Sequence, residues 1–185
     1  MKNTSAIIAL LALAFGIGWL TYSSRDVAPD LAPFFPTPMN IVGEMLKMAD
    51  VKSTDVVYDL GCGDGRIVIT AAANFGARGV GVEYDPKVAE LAIDNVNRRN
   101  VDDLVDIVIG DATKVDVSPA SVVTLYLLPD TIAALRPRLE ELLKTGARVV
   151  SHNAAMPGWK TVSIQTINDD DGRVHTLYLY EIGKQ

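Results

Sequence analysis

The stretch VYDLGCGDGRIVITAAA, residues 57–73, places three glycines at alternate positions between an apolar run and an alanine-rich run. Glycine adopts positive φ without strain, and its missing Cβ lets backbone N–H groups approach a ligand closely. The apolar run predicts a buried strand and the alanine-rich run predicts a helix. This order of elements is typical of an open α/β sheet, in which the ligand lies at the carboxyl ends of the strands.

The rest of the chain continues this alternation of strands and helices. Most predicted strands are near-continuous apolar runs, as expected for parallel strands covered on both faces. The last two alternate apolar and polar residues about the turn DDDG, which predicts an antiparallel hairpin. The predicted fold is α/β: a Rossmann-like, doubly wound, seven-stranded sheet, mostly parallel, with a C-terminal antiparallel hairpin. The predicted strands are 55–60, 79–84, 105–109, 121–128, 147–151, 161–168 and 173–182, and the predicted helices include 65–74, 86–99 and 131–143.

An uncharged apolar run, residues 6–22, precedes this domain. As a hydrophobic helix it would rise roughly 26 Å, the short end of the range for a membrane span. It predicts either a membrane anchor or a signal peptide for export. An anchor is favoured because the following TYSSRDVAPD offers no convincing cleavage site.

The predicted organisation has three parts. Residues 1–24 form the anchor or signal peptide, residues 25–36 a Pro-rich linker, and residues 37–185 one domain. The domain is expected to begin with a helix that has Thr37 as its N-cap and Pro38 at its first helical position.

Charge and cysteine content exclude several classes of protein. The chain has 17 basic and 23 acidic residues, a net charge of −6, which is unsuited to neutralising phosphates, so nucleic acid is not an expected partner. One cysteine excludes an internal disulfide framework. One cysteine and two histidines also leave little for a metal cluster, so no metal is expected.

Three acidic residues lie at the carboxyl ends of the first three predicted strands. Asp59 precedes the glycine loop, and Glu83 lies 22 residues after Gly61, a usual separation for a carboxylate that binds both ribose hydroxyls. Asp111 follows the third strand and either accepts from an adenine amine or only caps its own turn. Together the three predict a nucleoside ligand.

The glycine spacing and the loop charge narrow the choice of ligand. A dinucleotide fingerprint reads G-x-G-x-x-G, whereas Gly61, Gly63 and Gly65 give G-x-G-x-G. Asp59 or Asp64 would repel a pyrophosphate but would suit a ligand with an ammonium group. S-adenosyl-L-methionine carries that ammonium, a sulfonium, a ribose diol and an adenine, and is the predicted cofactor.

The motifs DLGCGDGR, GVEYD and GDA resemble the cofactor motifs of class I S-adenosylmethionine-dependent methyltransferases. The N-terminal apolar segment, FPTPMNIVGEML, VTLYLLP and MPGW further resemble the membrane-anchored lysine methyltransferases of the ATP synthase c-subunit and the adenine nucleotide translocase, with their prokaryotic relatives. This resemblance implies a lysine methyltransferase in which the Pro36–Pro38 segment lies beside the cleft. It also implies further cofactor contacts from Pro38, Cys62, Tyr84, Ala112 and Leu127.

A lysine amine must be neutral to attack the methyl group, which costs roughly 4.6 kcal/mol at pH 7. Two candidate catalytic residues follow the fourth and fifth strands. Tyr126 either points its hydroxyl into the cleft or is a buried strand residue. His152 is either a base or a loop histidine satisfied by backbone. His175 is expected to be structural, and Trp159 either walls the pocket or packs a loop.

The leading hypothesis is methylation of a protein lysine, with another membrane protein as a candidate substrate because tethering raises its effective concentration. The alternatives are a small-molecule methyltransferase and a noncatalytic S-adenosylmethionine-binding module. Since this cofactor is made in the cytosol, the anchored domain is expected on the cytoplasmic side of the membrane.

Overall fold

The computed structural model of the protein describes residues 35–184. The predicted N-terminal helix and nearly all of the predicted linker lie outside these residues. Within residues 35–184, no helix is long and apolar enough to cross a membrane.

Four helices and seven strands make up the described part of the chain. The helices are α1 (Met39–Met48), α2 (Arg66–Phe75), α3 (Pro86–Arg98) and α4 (Pro129–Leu142). The strands are β1 (Val56–Leu60), β2 (Arg78–Glu83), β3 (Val105–Ile109), β4 (Val122–Leu125), β5 (Arg148–His152), β6 (Ser163–Asn168) and β7 (Val174–Glu181).

The strands form one sheet in the order β3-β2-β1-β4-β5-β7-β6. The first five run parallel, whereas β7 is antiparallel to both of its neighbours, which confirms the predicted mixed sheet with its C-terminal hairpin. The strand order reverses between β1 and β4. That reversal opens a crevice above the carboxyl ends of these two strands, the usual ligand position in this architecture.

Helices cover both faces of the sheet and bury its central strands. On one face α1 and α2 bury Ile41, Met45 and Ile67 against β1, β4 and β5. On the other face α4 buries Leu135 and Leu139. Because β1 and β4 lie between these two layers, their side chains are almost all buried, as parallel strands require.

The structure corrects two predicted boundaries near the crevice. Strand β4 ends at Leu125 rather than at residue 128, because Pro129 begins α4 and sets the preceding Leu128 in an extended N-cap conformation. At α1 the N-cap is Pro38, and Thr37 makes no cap hydrogen bond there. The Thr37 hydroxyl lies instead 3.4 Å from Nδ1 of His152.

Gly81 allows the glycine loop to lie directly against β2. A Cβ at this position would be 2.7 Å from Sγ of Cys62 and 2.8 Å from Cδ1 of Ile107. We therefore expect Gly81→Ala to lower the free energy of unfolding by about 1–3 kcal/mol through overpacking, measured by urea denaturation. Gly110→Ala is the matched control, since a Cβ there meets nothing within 4 Å. Equal stability of the two variants would contradict the prediction.

Candidate active site

The glycine loop between β1 and α2 has the predicted backbone geometry. Gly61, Gly63 and Gly65 have φ angles of 82°, 57° and 78°. Their N–H groups are nevertheless engaged within the protein: they donate to Val82 O at 2.8 Å, to Glu83 Oε2 at 2.9 Å and to Cys62 O at 2.9 Å. These donors are therefore already paired in this structure, and contact of the glycine loop with a cofactor stays a prediction. The loop uses them to wrap around the end of β2.

Glu83 ends β2 and forms a hydrogen bond with the glycine loop. Its Oε2 accepts from Gly63 N–H at 2.9 Å, and its Oε1 accepts from Asp85 N–H at 3.0 Å. A carboxylate offers about four lone-pair positions, so roughly two remain for further donors. The half-buried Glu83 therefore retains the capacity to accept from a pair of hydroxyl groups.

Asp59 is buried in β1, with 3% of its surface exposed. Burial, with a smaller contribution from the charges of Glu83 and Asp64, raises its pKa to about 7, although a hydrogen bond from the Thr124 hydroxyl at 2.7 Å acts in the opposite direction. Within residues 35–184, neither Asp59 nor Glu83 forms a salt bridge. Two acidic groups without a cation under a glycine loop fit a positively charged ligand.

Asp64, the other candidate for a cationic ligand, already has a partner. Nε and Nη2 of Arg66 donate to its two carboxylate oxygens at 2.8 and 2.6 Å. Nη1 of Arg66 donates to Thr37 O at 2.8 Å and so fastens the Pro36–Pro38 segment to the glycine loop. Arg66 was not among the predicted site residues, although the acid–base spacing in DGR was a visible signal. Asp59 is the loop carboxylate left for a cation.

Asp111 shows the turn role that the sequence left open. Its Oδ1 accepts from the N–H and the hydroxyl of Thr113 at 2.9 and 2.7 Å, and Lys114 lies 3.2 Å from Oδ2. Burial opposes ionisation, but these donors hold the pKa of Asp111 below its usual range. A contact to adenine stays a prediction.

Four of the residues that the resemblance added lie in the loops after the carboxyl ends of β1 to β4. Leu127 lies over the loop, since its Cδ2 would be 2.6 Å from a Cβ on Gly61. Tyr84 is exposed beside Glu83, and Ala112 is half-buried. Cys62 is buried, which raises the pKa of its thiol, so it is not a nucleophile.

Tyr126 and His152 are in direct contact. Their rings stack with centroids 4.0 Å apart. His152 is the last residue of β5 and does not follow the strand as predicted. Tyr126 lies just after β4, not within a strand, and is half-buried. His152 is completely buried, and burial followed by the neighbouring His175 lowers its pKa to about 4, so the ring is neutral at pH 7.

The partners of His152 differ from the backbone groups that the sequence suggested. Its Nε2 lies 2.8 Å from Nδ1 of His175, and its Nδ1 faces Thr37. The interpretation of a loop histidine satisfied by backbone is therefore wrong. Trp159 packs a loop, because its Nε1 donates to Glu140 at 2.6 Å and its ring meets the edge of Tyr180.

Comparison with known proteins identifies the family. The model of the ANTKMT methyltransferase domain matches residues 59–163. A protein-lysine N-methyltransferase of Saccharolobus islandicus is 45% identical over 154 residues, which cover 82% of this chain and 94% of that protein. The lysine N-methyltransferase of the ATP synthase c-subunit from Xenopus laevis is 32% identical over 161 residues, covering 85% of this chain and 68% of that protein.

A solved structure agrees with these relatives in fold. The crystal structure of an RNA methyltransferase from Salinibacter ruber in complex with S-adenosyl-L-homocysteine has a TM-score of 0.75 and 48% sequence identity, and the match covers 82% of this chain and 95% of that one. Together with the carboxylates around the glycine loop, these similarities confirm the resemblance found in the sequence. The chain belongs to the ANTKMT methyltransferase family.

Proposed function

We propose that this protein transfers the methyl group of S-adenosylmethionine to a lysine side chain of another protein. The observation that carries the proposal is the pair Asp59 in β1 and Glu83 at the end of β2, two acidic groups that form no salt bridge within residues 35–184 and lie beside the switch point of the sheet. The 45% identity to a protein-lysine N-methyltransferase over nearly all of that protein supports the choice of substrate.

The crevice residues fit the parts of the cofactor. Glu83 would accept from the ribose hydroxyls, and Asp59 with the loop carbonyls would hold the ammonium. Leu127 and Tyr84 supply apolar surface beside them. The cofactor itself supplies an electrophilic methyl group on a sulfonium, so the protein has to align the amine and exclude water.

Tyr126 is the proposed residue that receives the lysine. It leaves β4 at the crevice, and its hydroxyl is the group available to orient a neutral amine. His152 is completely buried and so acts through residues that it touches on the crevice side, Tyr126 and Thr37. We place it behind the amine site as support rather than against the substrate.

RNA is the second candidate substrate, because the similar Salinibacter ruber protein is an RNA methyltransferase. Two observations favour protein. The net charge of −6 and the acidic crevice are unsuited to the negatively charged phosphodiester backbone of RNA. The stretch after β4 reads LYLLP and lacks the Asn/Asp-Pro-Pro-Tyr stretch of enzymes that methylate the amino groups of bases.

Transfer of label from a methyl donor tests the proposal. The full chain is incubated with labelled S-adenosylmethionine and, in parallel, native membranes, soluble protein or total RNA, followed by protease or RNase digestion and mass spectrometry. We expect the label to be on lysine and to be lost from the macromolecular fraction after protease digestion. The Glu83→Ala variant is the control for background. Label in RNA or in small molecules would show that the substrate is RNA or a small molecule and not a protein. Label no higher than in the control would indicate that the protein binds the cofactor without transferring its methyl group.

We further propose that residues 6–22 anchor the protein in a membrane with the domain on the cytoplasmic side. The support is the uncharged apolar run itself and the cytosolic origin of the cofactor. We expect the full chain to remain in the membrane pellet after alkaline extraction and to be digested by protease added from the cytoplasmic side. Release by alkali, or a mature N-terminus beyond residue 24, would contradict the anchor and support export.

A further inference from the structure

A buried row of side chains links the C-terminal hairpin to the catalytic crevice. Asp169 Oδ2 lies 3.1 Å from Nε2 of His175, whose Nδ1 lies 2.8 Å from Nε2 of His152. Nδ1 of His152 lies 3.4 Å from the Thr37 hydroxyl. Each of these four residues is at most 7% exposed. Of the four, only His152 lies within residues 59–163, the part of the chain that the family model matches.

The acid at the outer end sets the direction of the hydrogen bonds in this row when His175 is neutral. Burial opposes ionisation of Asp169, but hydrogen bonds from the backbone N–H of Arg173, from the His175 ring and from the backbone N–H of Asp171 hold its pKa below the usual range, so its carboxylate only accepts. A neutral His175 then carries its proton on Nε2, and its Nδ1 accepts from Nε2–H of His152. This leaves a lone pair on Nδ1 of His152, which accepts from the Thr37 hydroxyl.

The inner end of the row contacts both sides of the crevice. The His152 ring stacks on Tyr126, and the Thr37 backbone carbonyl is held by Arg66 of the segment after the glycine loop. If His152 carried its proton on Nδ1 instead, the Thr37 hydroxyl would have to accept that N–H, and the hydroxyl's own proton would need another acceptor. The position of one proton therefore decides whether Thr37 donates to His152 or accepts from it.

We infer that Asp169 and His175 are positioning residues for the methyl transfer, which set the tautomer of His152 and thereby hold Thr37 and Tyr126 in place. Neither residue reaches the crevice itself. The inference rests on the proposed amine methylation, but its structural part can be measured without activity.

Nitrogen-15 spectra of the histidine rings test the tautomers directly. The chain has two histidines, so the tag-free full protein gives two ring systems. We expect the proton of each ring to reside on Nε2 in the wild-type protein. A wild-type His152 protonated on Nδ1 would overturn the inference even if methylation of lysine were confirmed. Absence of lysine methylation would instead refute the proposed function and leave this spectrum informative.

Variants separate positioning from packing. His175→Gln can donate to Asp169 and accept from His152, so we expect the His152 tautomer to be kept and kcat to fall less than about threefold. His175→Leu fills the space but removes the acceptor, and we expect kcat to fall by about ten- to a hundredfold with nearly unchanged cofactor affinity. Asp169→Asn should resemble the leucine variant, whereas Asp171→Asn, on the same turn, is the control. Equal loss in the glutamine and leucine variants would contradict the inference.

Discussion

Asp59→Asn is expected to stabilise the cofactor-free protein while it weakens cofactor binding. The buried Asp59 has a pKa of about 7, far above that of an unfolded aspartate, so its ionisation opposes folding at neutral pH. We expect the amide to raise the free energy of unfolding at pH 8 by about 2–4 kcal/mol. Loss of the proposed charged hydrogen bond to the cofactor's ammonium group should lower cofactor affinity by about ten- to a hundredfold.

The pH dependence gives the sign of this effect. Because the native pKa of Asp59 is raised from 3.8 to about 7, the native state holds the extra proton between these values. Its stabilising contribution is therefore complete below pH 3.8 and is lost as the pH rises to about 7. The stability difference between Asp59→Asn and the wild type should grow over this interval and then level off. Urea denaturation at several pH values measures it.

Asp55, at the other end of the same strand, provides the control with the opposite sign. Burial opposes its ionisation, but its side chain accepts from Ser121 at 2.7 Å and pairs with Arg148, and these donors lower its pKa. Asp55→Asn should destabilise the protein at neutral pH and leave the cofactor site intact. If Asp59→Asn and Asp55→Asn lower the free energy of unfolding equally at pH 8, the pKa of Asp59 is not raised in the native protein.

Glu83→Ala is expected to weaken cofactor binding through two separate losses. It removes the proposed acceptor of the ribose hydroxyls, and it frees the Gly63 N–H that shapes the loop. Together we expect a cost of about 1.5–3 kcal/mol, or roughly ten- to a hundredfold in the dissociation constant measured by calorimetry.

A further variant at the same position, together with a surface control, tests how much of the affinity depends on the carboxylate oxygens of Glu83. Glu83→Gln retains one oxygen acceptor, so we expect an affinity between those of the wild type and the alanine variant. Glu90→Ala, an exposed change on α3, is the control. An unchanged affinity for Glu83→Ala would mean that the ribose lies elsewhere.

The sequence predicted the sheet well because its elements are local patterns. The apolar runs, Gly65 at the start of α2 and the DDDG turn each specify their own element, and the resulting order implies the parallel sheet. Errors arose where a neighbouring residue changed a boundary. The run from Ser121 to Leu128 is apolar throughout, but Pro129 starts a helix and ends the strand earlier.

Some of the residues around the crevice could be identified from the sequence, on the basis of sheet topology rather than of local patterns. Asp59 and Glu83 could be found because strand ends gather at one edge of the sheet. The contacts between side chains from distant segments could not, since no local pattern pairs Thr37 with His152 across 115 positions. In the same way, Arg66 could have been predicted to pair with Asp64, but not to bind the Thr37 carbonyl.

The position of β7 imposes an order on the maturation of this enzyme. This strand is translated after the other six strands of the described sheet, yet it inserts between β5 and β6. Until it leaves the ribosome, β5 presents an unsatisfied strand edge that can recruit other chains. The nascent polypeptide can thus complete β1 to β5 early, while pairing along the outer edge of β5 has to await the emergence of β7.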